Sequence, residues 1–219
     1  MNIRTIGIGI VAVALILVIS MTASAEPVAS DSNGATGGAI TSVDHTGATT
    51  QTYNWAGYYG DVGGTLRLGT DTAKMYEWTT ADTGGEVYAS TASSITWSNI
   101  RAESAADVDT NLSYLLGKSD SATITFDGTN SAMINVGTVP ISSGGASATH
   151  MYVDGVAQTN DFEEVILTDG TNTVWTAIIS PNKDGFESDS TTHDYQMIVP
   201  EDGSGNSDAT TYYFYVELS

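Results

Sequence analysis

The last stretch of the chain, TTYYFYVEL from Thr210 to Leu218, decides the class of fold. Successive side chains of a strand point to opposite faces. On this alternation one face carries Tyr212, Phe214, Val216 and Leu218, and the other carries Tyr213, Tyr215 and Glu217. A strand with aromatic rings on both faces is typical of a central strand, or of one covered at both sides. The stretch therefore predicts a strand over Thr211–Leu218 inside a layered β structure.

Short β-rich runs separated by Gly, Asn and Asp turns fill the chain from Thr52 onward. The pattern predicts further strands at Thr52–Tyr59, Gly64–Leu68, Lys74–Thr79, Glu86–Ser90, Ala122–Phe126, Ala132–Val136, His150–Val153, Phe162–Thr168, Val174–Ser180 and Tyr195–Val199. Their close spacing favours an antiparallel meander over β-α-β units. We therefore predict an all-β fold for residues 52–219, an antiparallel β-sandwich of Ig-like or jelly-roll type. Two tandem small sandwiches, divided near residues 117–120, are the alternative.

One segment departs from the β pattern. Ser104–Leu116, SAADVDTNLSYLL, has apolar residues at helical spacing, an acidic first turn after Ser104, and Gly117 as a stop signal. It predicts one short helix, lying across one end of the sheet.

The N-terminus has the features of an export signal. Arg4 precedes an apolar run from Ile6 to Met21, and Ala23-Ser24-Ala25 fits the small-residue rule for cleavage before Glu26. The run is shorter than the roughly twenty residues that a transmembrane helix needs. We predict a signal peptide at residues 1–25 and a secreted, extracellular or cell-surface protein. An uncleaved anchor, which would be the chain's contact with a membrane, and a pilin-like leader helix are the alternatives.

Residues 26–51 are rich in Ser, Thr, Gly, Ala and Asp and have few large apolar side chains. Such a composition buries too little apolar surface to order itself. We therefore expect a flexible polar arm, which is either a flexible leader or a segment that folds on a partner.

The charge of the chain limits its partners. It has 26 acidic and 6 basic residues, giving a formal net charge of −20. Such a surface repels nucleic acid and anionic lipid, so we expect neither as a partner. The chain contains no cysteine, which excludes disulfides, thiolate chemistry and zinc–cysteine sites.

The stretch NWAGYYGDVGGTLRLG, Asn54–Gly69, combines glycines with large aromatics. Its glycines are followed by an alternating strand rather than a helix, so they are not a phosphate-binding loop. Aromatic side chains here and further along are either core residues or a stacking surface for sugar rings. The candidates for such a glycan surface are Trp55, Tyr58, Tyr59, Tyr76, Trp78, Tyr88 and Trp97.

A turn-rich stretch, SPNKDGFESD from Ser180 to Asp189, resembles the first half of a calcium loop. Oxygen-bearing side chains alternate before Gly185, which suits a tight turn around a cation. The candidate ligands are Asn182, Asp184, Glu187 and Asp189. Thr191 occupies the position where a bidentate Glu would complete the coordination shell of the calcium ion. An ordinary Asn/Asp/Gly turn between strands is the alternative explanation of the same residues. Calcium is the one cofactor we consider, and Glu201–Asp208 is a weaker second candidate site.

No catalytic pattern is present in the sequence. His45, His150 and His193 are far apart, and Glu163 and Glu164 are adjacent on a strand, so their carboxylates point to opposite faces. We therefore expect a protein that is not an enzyme, with a hydrolase site assembled from distant strands as the alternative. Asn111-Leu112-Ser113 is a sequon for N-glycosylation.

Three parts of the chain resemble a known group of proteins. They are YNWAGYYGDVGGTLRLG with GEVYAS and ITWSNI, then FEEVILTDG with VWTAII, and finally GF with HDYQMIVPEDG and TTYYFYVEL. These stretches resemble a family of exported, β-rich archaeal surface proteins with no assigned activity. The resemblance implies an exported surface protein and assigns no catalytic residue.

From these observations we expect a structural or adhesion protein of the cell surface or the extracellular space. A filament or coat subunit that assembles by strand exchange fits best, with self-assembly or other surface proteins as partners. A glycan-binding β-sandwich module is the alternative.

Overall fold

The chain folds around an eight-stranded sheet in which every described strand pair is antiparallel. A computed structural model describes residues 28–29, 42–50, 54–63, 65–70, 73–79, 84–186, 190–201 and 210–218. The predicted all-β antiparallel sandwich is confirmed within these residues. The predicted signal peptide, residues 1–25, lies outside them.

The described part of the chain contains two short helices, one 3-10 turn and nineteen strands. The helices are α1 (Ala105–Asn111) and α2 (Ala122–Thr125), and the 3-10 turn is Trp97–Asn99. The strands are β1 (Val28–Ala29), β2 (Ser42–Thr50), β3 (Trp55–Gly63), β4 (Thr65–Thr70), β5 (Ala73–Thr79), β6 (Gly85–Ser90), β7 (Arg101–Ala102), β8 (Gly128–Thr129), β9 (Ile134–Val136), β10 (Val139–Ile141), β11 (Ser147–His150), β12 (Tyr152–Val153), β13 (Val156–Ala157), β14 (Glu163–Thr168), β15 (Thr173–Ile178), β16 (Lys183–Asp184), β17 (Thr192–His193), β18 (Tyr195–Pro200) and β19 (Tyr213–Leu218).

The large sheet has the order β1-β19-β6-β15-β14-β11-β8, and β7 also pairs with β14. A second sheet has the order β18-β3-β2, and four two-stranded hairpins complete the described structure. Strands from before and after residues 117–120 pair in both sheets, as β3 does with β18 and β6 with β15. The alternative of two tandem sandwiches divided there is therefore wrong.

The large sheet is covered on both faces. On one face Val87, Trp175 and Val216 belong to an apolar core shared with Val62 and Met197 of the second sheet. On the other face the alternate residues of the same strands form a second core with the 3-10 turn and the β9–β10 hairpin. All six residues of β6 and all six of β14 are buried in consequence. The coverage predicted for the last strand is confirmed at Tyr215 and Val216, which are both buried.

The predicted helix forms, and it is shorter than expected. Ser104 is its N-cap and accepts a hydrogen bond from the Asp107 backbone N–H at 3.1 Å, as the acidic first turn indicates. Helix α1 then ends at Asn111, and turns follow as far as Gly117. Within these turns two adjacent leucines have opposite environments: Leu115 is fully buried and Leu116 is 62% exposed.

The prediction of a strand over Ala122–Phe126 is wrong, because this segment contains helix α2. The cause is a contact with a distant residue. Buried Asp109 of α1 accepts hydrogen bonds from the backbone N–H groups of Ala122 at 2.6 Å and Thr123 at 3.1 Å. These groups have no partner within a helix, so the carboxylate caps α2 and outweighs the β propensity of a Thr-Ile-Thr run.

The expectation of an unstructured arm over residues 26–51 is wrong for two parts of it. Strand β1 pairs with the last strand at the edge of the large sheet, and β2 pairs along β3 in the second sheet. Backbone pairing gives this polar segment hydrogen-bond partners that its sequence alone does not supply. Residues 26–27, 30–41 and 51 lie outside the described residues.

The divergence of two neighbouring leucines gives a direct test of the core. We expect Leu115→Ala to lower the free energy of unfolding by about 2–5 kcal/mol, because it leaves a cavity under the sheet. Leu116→Ala is the matched control and should change it by less than about 0.5 kcal/mol. Urea denaturation of both variants measures the difference, and equal losses would contradict the placement of the two side chains.

Candidate functional site

The candidate site is a cleft of about 260 Å³ over the second sheet. Its floor is formed by β3 and β18, where Gly57 lies opposite Ile198 and Tyr59 lies opposite Gln196. Gly57 adds no side chain to this floor, which leaves space above the backbone. The cleft walls are the β12–β13 hairpin and the loop that contains Phe186.

Hydrogen bonds fix the two walls relative to each other. Asp154 and Gly155, at the tip of the hairpin, have φ values of 49° and 71°. Positive φ at both central residues is the pattern of a tight hairpin turn, for which Asp-Gly is a preferred sequence. The Asp154 N–H donates to the Gly185 carbonyl at 2.9 Å, and the Gly155 N–H donates to the Phe186 carbonyl at 3.1 Å. The hairpin and the loop are therefore held together before any ligand binds.

Buried Gln196 joins the floor to both walls. Its side-chain oxygen accepts a hydrogen bond from the Phe186 N–H at 3.2 Å, and its amide nitrogen donates to the Tyr152 carbonyl at 2.9 Å. The Gln196 side chain thus fixes both walls to the floor of the cleft. The polar capacity left for a ligand is small, and the cleft offers chiefly apolar and aromatic surface.

Aromatic rings line one side of the cleft. The Tyr59 ring packs edge-on against Phe186 at a centroid distance of 5.1 Å and lies 4.8 Å from the His193 ring. On the opposite wall Tyr152 is 53% exposed. A ligand with a flat apolar face can contact several of these rings together.

A larger cavity of about 750 Å³ adjoins the cleft, because Met151, Tyr152 and Ile198 line both. Its lining is more polar. It includes Thr125, Asp127, Thr149, His150, Gln158 and Thr159. Tyr152 therefore stands between an aromatic cleft and a polar cavity.

Three of the candidate glycan-stacking residues, Trp55, Tyr88 and Trp97, are core residues, so a stacking role is wrong for them. Trp55 is 1% exposed and packs against Trp175 at a centroid distance of 5.4 Å, and its indole N–H donates to the Asp120 carbonyl at 2.6 Å. Trp97 is 9% exposed and contacts Tyr88, itself fully buried. A ring enclosed in this way has no free face for a sugar.

The remaining aromatic candidates have different positions. Tyr58 and Tyr59 line the cleft, and the Tyr58 ring packs edge-on against Phe214 at 5.2 Å. The side chains of Tyr76 and Trp78 lie outside the described residues. Sequence reasoning missed Tyr152, Phe186 and Gln196, the residues that complete the cleft. The Asp154-Gly155 pair is a hairpin signal that indicates one wall, and nothing local indicates the loop that meets it.

The candidate calcium loop is described only in part. Asn182 and Asp184 are exposed, and Asp184 belongs to the β16–β17 hairpin. Glu187 and Asp189 lie outside the described residues, as does most of the second candidate, Glu201–Asp208. Among the residues that are described, no three His, Asp or Glu side chains come together as a metal site. Calcium binding stays a prediction.

The sequon lies at the end of α1. Asn111 is the last helical residue and is exposed, so its side chain is accessible to a modifying enzyme. Modification at Asn111 stays a prediction.

The adjacent glutamates of β14 separate as their alternation predicts. Glu163 accepts hydrogen bonds from the Ser131 backbone N–H at 2.6 Å and from its hydroxyl at 2.7 Å. Glu164 accepts one from the Ile198 N–H at 2.8 Å, on the other face. Glu164 is fully buried, and burial raises the pKa of its carboxyl well above the ordinary value. These carboxylates tie backbone groups of the covering layers to the large sheet, and they do not form a pair.

A second group of carboxylates lies where β6 pairs with the last strand. Glu86 and Glu217 are direct cross-strand partners, and both are buried. Glu217 accepts hydrogen bonds from the Gly137 N–H at 2.9 Å and the Tyr88 hydroxyl at 3.1 Å. Burial, and then the neighbouring Glu217 carboxylate, raise the pKa of Glu86 from 4.5 to about 8. Glu86 is therefore protonated at neutral pH.

Comparisons with other proteins add no family or function. No protein-family model matches the chain, and no curated protein or solved structure matches it. The resemblance to exported archaeal surface proteins and the choice between Ig-like and jelly-roll topology both stay predictions. Within the described residues, none of the helices has the length and apolar character needed to cross a membrane.

The Glu86 pKa predicts how stability depends on pH. The folded chain keeps a proton that the unfolded chain releases above pH 4.5, so the free energy of unfolding falls as the pH rises from 4.5 to about 8. We expect Glu86→Gln to reduce this fall, because the amide does not ionise. Urea midpoints measured across this pH range test the effect.

The control is Asp127→Asn, a substitution at an exposed carboxylate. It should leave the pH dependence of stability as it is in the wild type. Some slope should remain in Glu86→Gln, because the pKa of buried Glu164 is raised in the same direction. An identical fall in stability for wild type and Glu86→Gln would contradict the burial of a protonated Glu86.

Proposed function

We propose that this protein is an exported structural protein of the cell surface or the extracellular space, and that it assembles into a filament or coat by exchanging its N-terminal strand between copies. Three properties support the proposal. They are an N-terminus with the pattern of an export signal, a strongly acidic composition, and an antiparallel β fold with an edge strand supplied by the N-terminal arm.

The pairing of β1 with β19 carries this proposal. Val28 lies opposite Val216 and Ala29 lies opposite Tyr215, at the end of the eight-stranded sheet. An edge strand presents unpaired backbone groups that accept a strand from the same chain or from another. The β1 strand of a second copy makes the same hydrogen bonds in the same register. Exchange therefore keeps the pairing and costs little free energy.

The length of the connection suits exchange between copies. Residues 30–41 separate β1 from β2, and β2 pairs along the second sheet. A link of about twelve residues spans at most roughly 40 Å when extended. That distance is enough for β1 to reach the sheet edge of a neighbouring molecule while β2 stays paired with β3 in its own molecule.

Charge sets the conditions for assembly. Each chain has a net charge of −20, so copies repel one another in dilute buffer. Salt reduces the range of this repulsion to about 10 Å at 0.1 M, and divalent cations reduce it further. We therefore expect assemblies to increase with the concentration of NaCl or CaCl₂.

Replacing both residues of β1 by proline tests the proposal. We expect Val28→Pro with Ala29→Pro to leave monomers under conditions where wild type assembles, because proline has no N–H to donate to the ladder. Light scattering after size exclusion and negative-stain microscopy, each over a series of salt concentrations, measure the difference.

The control for this experiment is Val28→Thr with Ala29→Ser, which keeps both N–H groups and should assemble as wild type does. Wild-type protein that stays monomeric at every salt and calcium concentration would count against a structural assembly. Assemblies of the proline variant equal to those of wild type would count against strand exchange as the mechanism.

A further inference from the structure

We propose that the groove on the two sides of Tyr152, made of the aromatic cleft and the adjoining polar cavity, binds a neutral glycan chain. The proposal is independent of strand exchange, because none of the described residues that line the groove belongs to β1 or β19. It shares Tyr58 and Tyr59 with the stacking surface that the sequence suggests, but Trp55 and Trp97 take no part.

The shape of the groove suits an extended ligand. The cleft of about 260 Å³ and the cavity of about 750 Å³ meet at Met151, Tyr152 and Ile198. Ligand sites in proteins usually measure about 300–1,000 Å³ and are largely formed before binding. The hydrogen bonds from the hairpin tip to Gly185 and Phe186 fix the two walls of the cleft relative to each other in the free protein.

The chemistry of the groove changes from one side of Tyr152 to the other, as the surface of a sugar does. A pyranose ring has an apolar face of C–H groups and a rim of hydroxyls. Tyr59, Phe186 and half-exposed Tyr152 offer aromatic surface to such a face. On the cavity side, polar side chains offer hydrogen-bond donors and acceptors to the sugar hydroxyls. They are those of Thr125, Thr149, Gln158 and Thr159.

The charge of the chain selects a neutral ligand. Among the described residues that line the groove there is neither lysine nor arginine, so a uronate or sulfate group has no lysine or arginine partner among them. The net charge of −20 repels anionic polymers in addition. A basic peptide is a weaker fit, because Asp127 is the one carboxylate among those lining residues.

The test uses the purified full chain with neutral, anionic and cationic probes. The neutral probes are hexasaccharides of cellulose, xylan, mannan, chitin and starch; the others are a sulfated hexasaccharide and an oligolysine peptide. Saturation-transfer NMR detects binding, and calorimetry gives the affinity. We expect at least one neutral hexasaccharide to bind, and neither charged probe to bind at 0.15 M salt.

Two variants locate the site. Tyr152→Ala, at an exposed position, should weaken binding of the neutral probe by at least about tenfold. Tyr213→Ala, at a tyrosine that is 44% exposed on β19, is its matched control and should bind as wild type does. Gly57→Val fills the floor of the cleft and should also weaken binding. Gly63→Val is the control on the same strand, because a Cβ at Gly63 meets nothing within 4 Å.

Several outcomes would overturn the proposal. They are no binding of any neutral hexasaccharide, binding that Tyr152→Ala leaves unchanged, equal losses in Tyr152→Ala and Tyr213→Ala, or binding of the oligolysine peptide alone. Melting temperatures of all four variants separate a lost site from a lost fold, and Tyr152→Ala decides the matter if Gly57→Val unfolds.

Discussion

Strands β6, β14 and β15 have apolar residues on both faces, and the rest of the structure depends on covering them. A sheet with two apolar faces is stable in water only when both are packed against other layers. The β18-β3-β2 sheet and the two helices supply one layer, and the 3-10 turn with the β9–β10 hairpin supplies the other. Small and irregular elements suffice for the second layer because they contribute well-placed side chains, such as Trp97 and Ile134.

Buried glutamates connect the layers. Glu163, Glu164 and Glu217 all lie on the large sheet, and each accepts a hydrogen bond from a backbone N–H of a covering segment. An unpaired buried polar group is expensive, so each contact satisfies two groups and fixes the position of a segment that has little regular structure. In Glu86 and in Glu164 one carboxyl oxygen has no hydrogen-bond partner among the described residues, and the raised pKa of each keeps a proton that removes the charge burial would penalise. The acidity of the chain is thus used inside the fold as well as on its surface.

Local patterns predicted much of the sheet and little of the site. Strands such as Glu86–Ser90 and Phe162–Thr168 were predictable because alternation and turn residues act over a few positions. Helix α2 was not, because its cap comes from Asp109 in another helix. The cleft was also beyond local reasoning. Its floor and its two walls come from separate parts of the chain, and they meet only after β3 has paired with β18.

The sequence by itself determined an acidic chain without cysteine, built from short strands with two apolar faces, because composition and alternation are properties of neighbouring residues. Only the tertiary structure decided which aromatic side chains are enclosed and which are accessible. Trp55 and Tyr59 belong to one strand and one motif, yet Trp55 packs in the core and Tyr59 lines a cleft. The physical reason is that burial depends on what packs against a face. That is set by long-range strand pairing, which no short stretch of sequence contains.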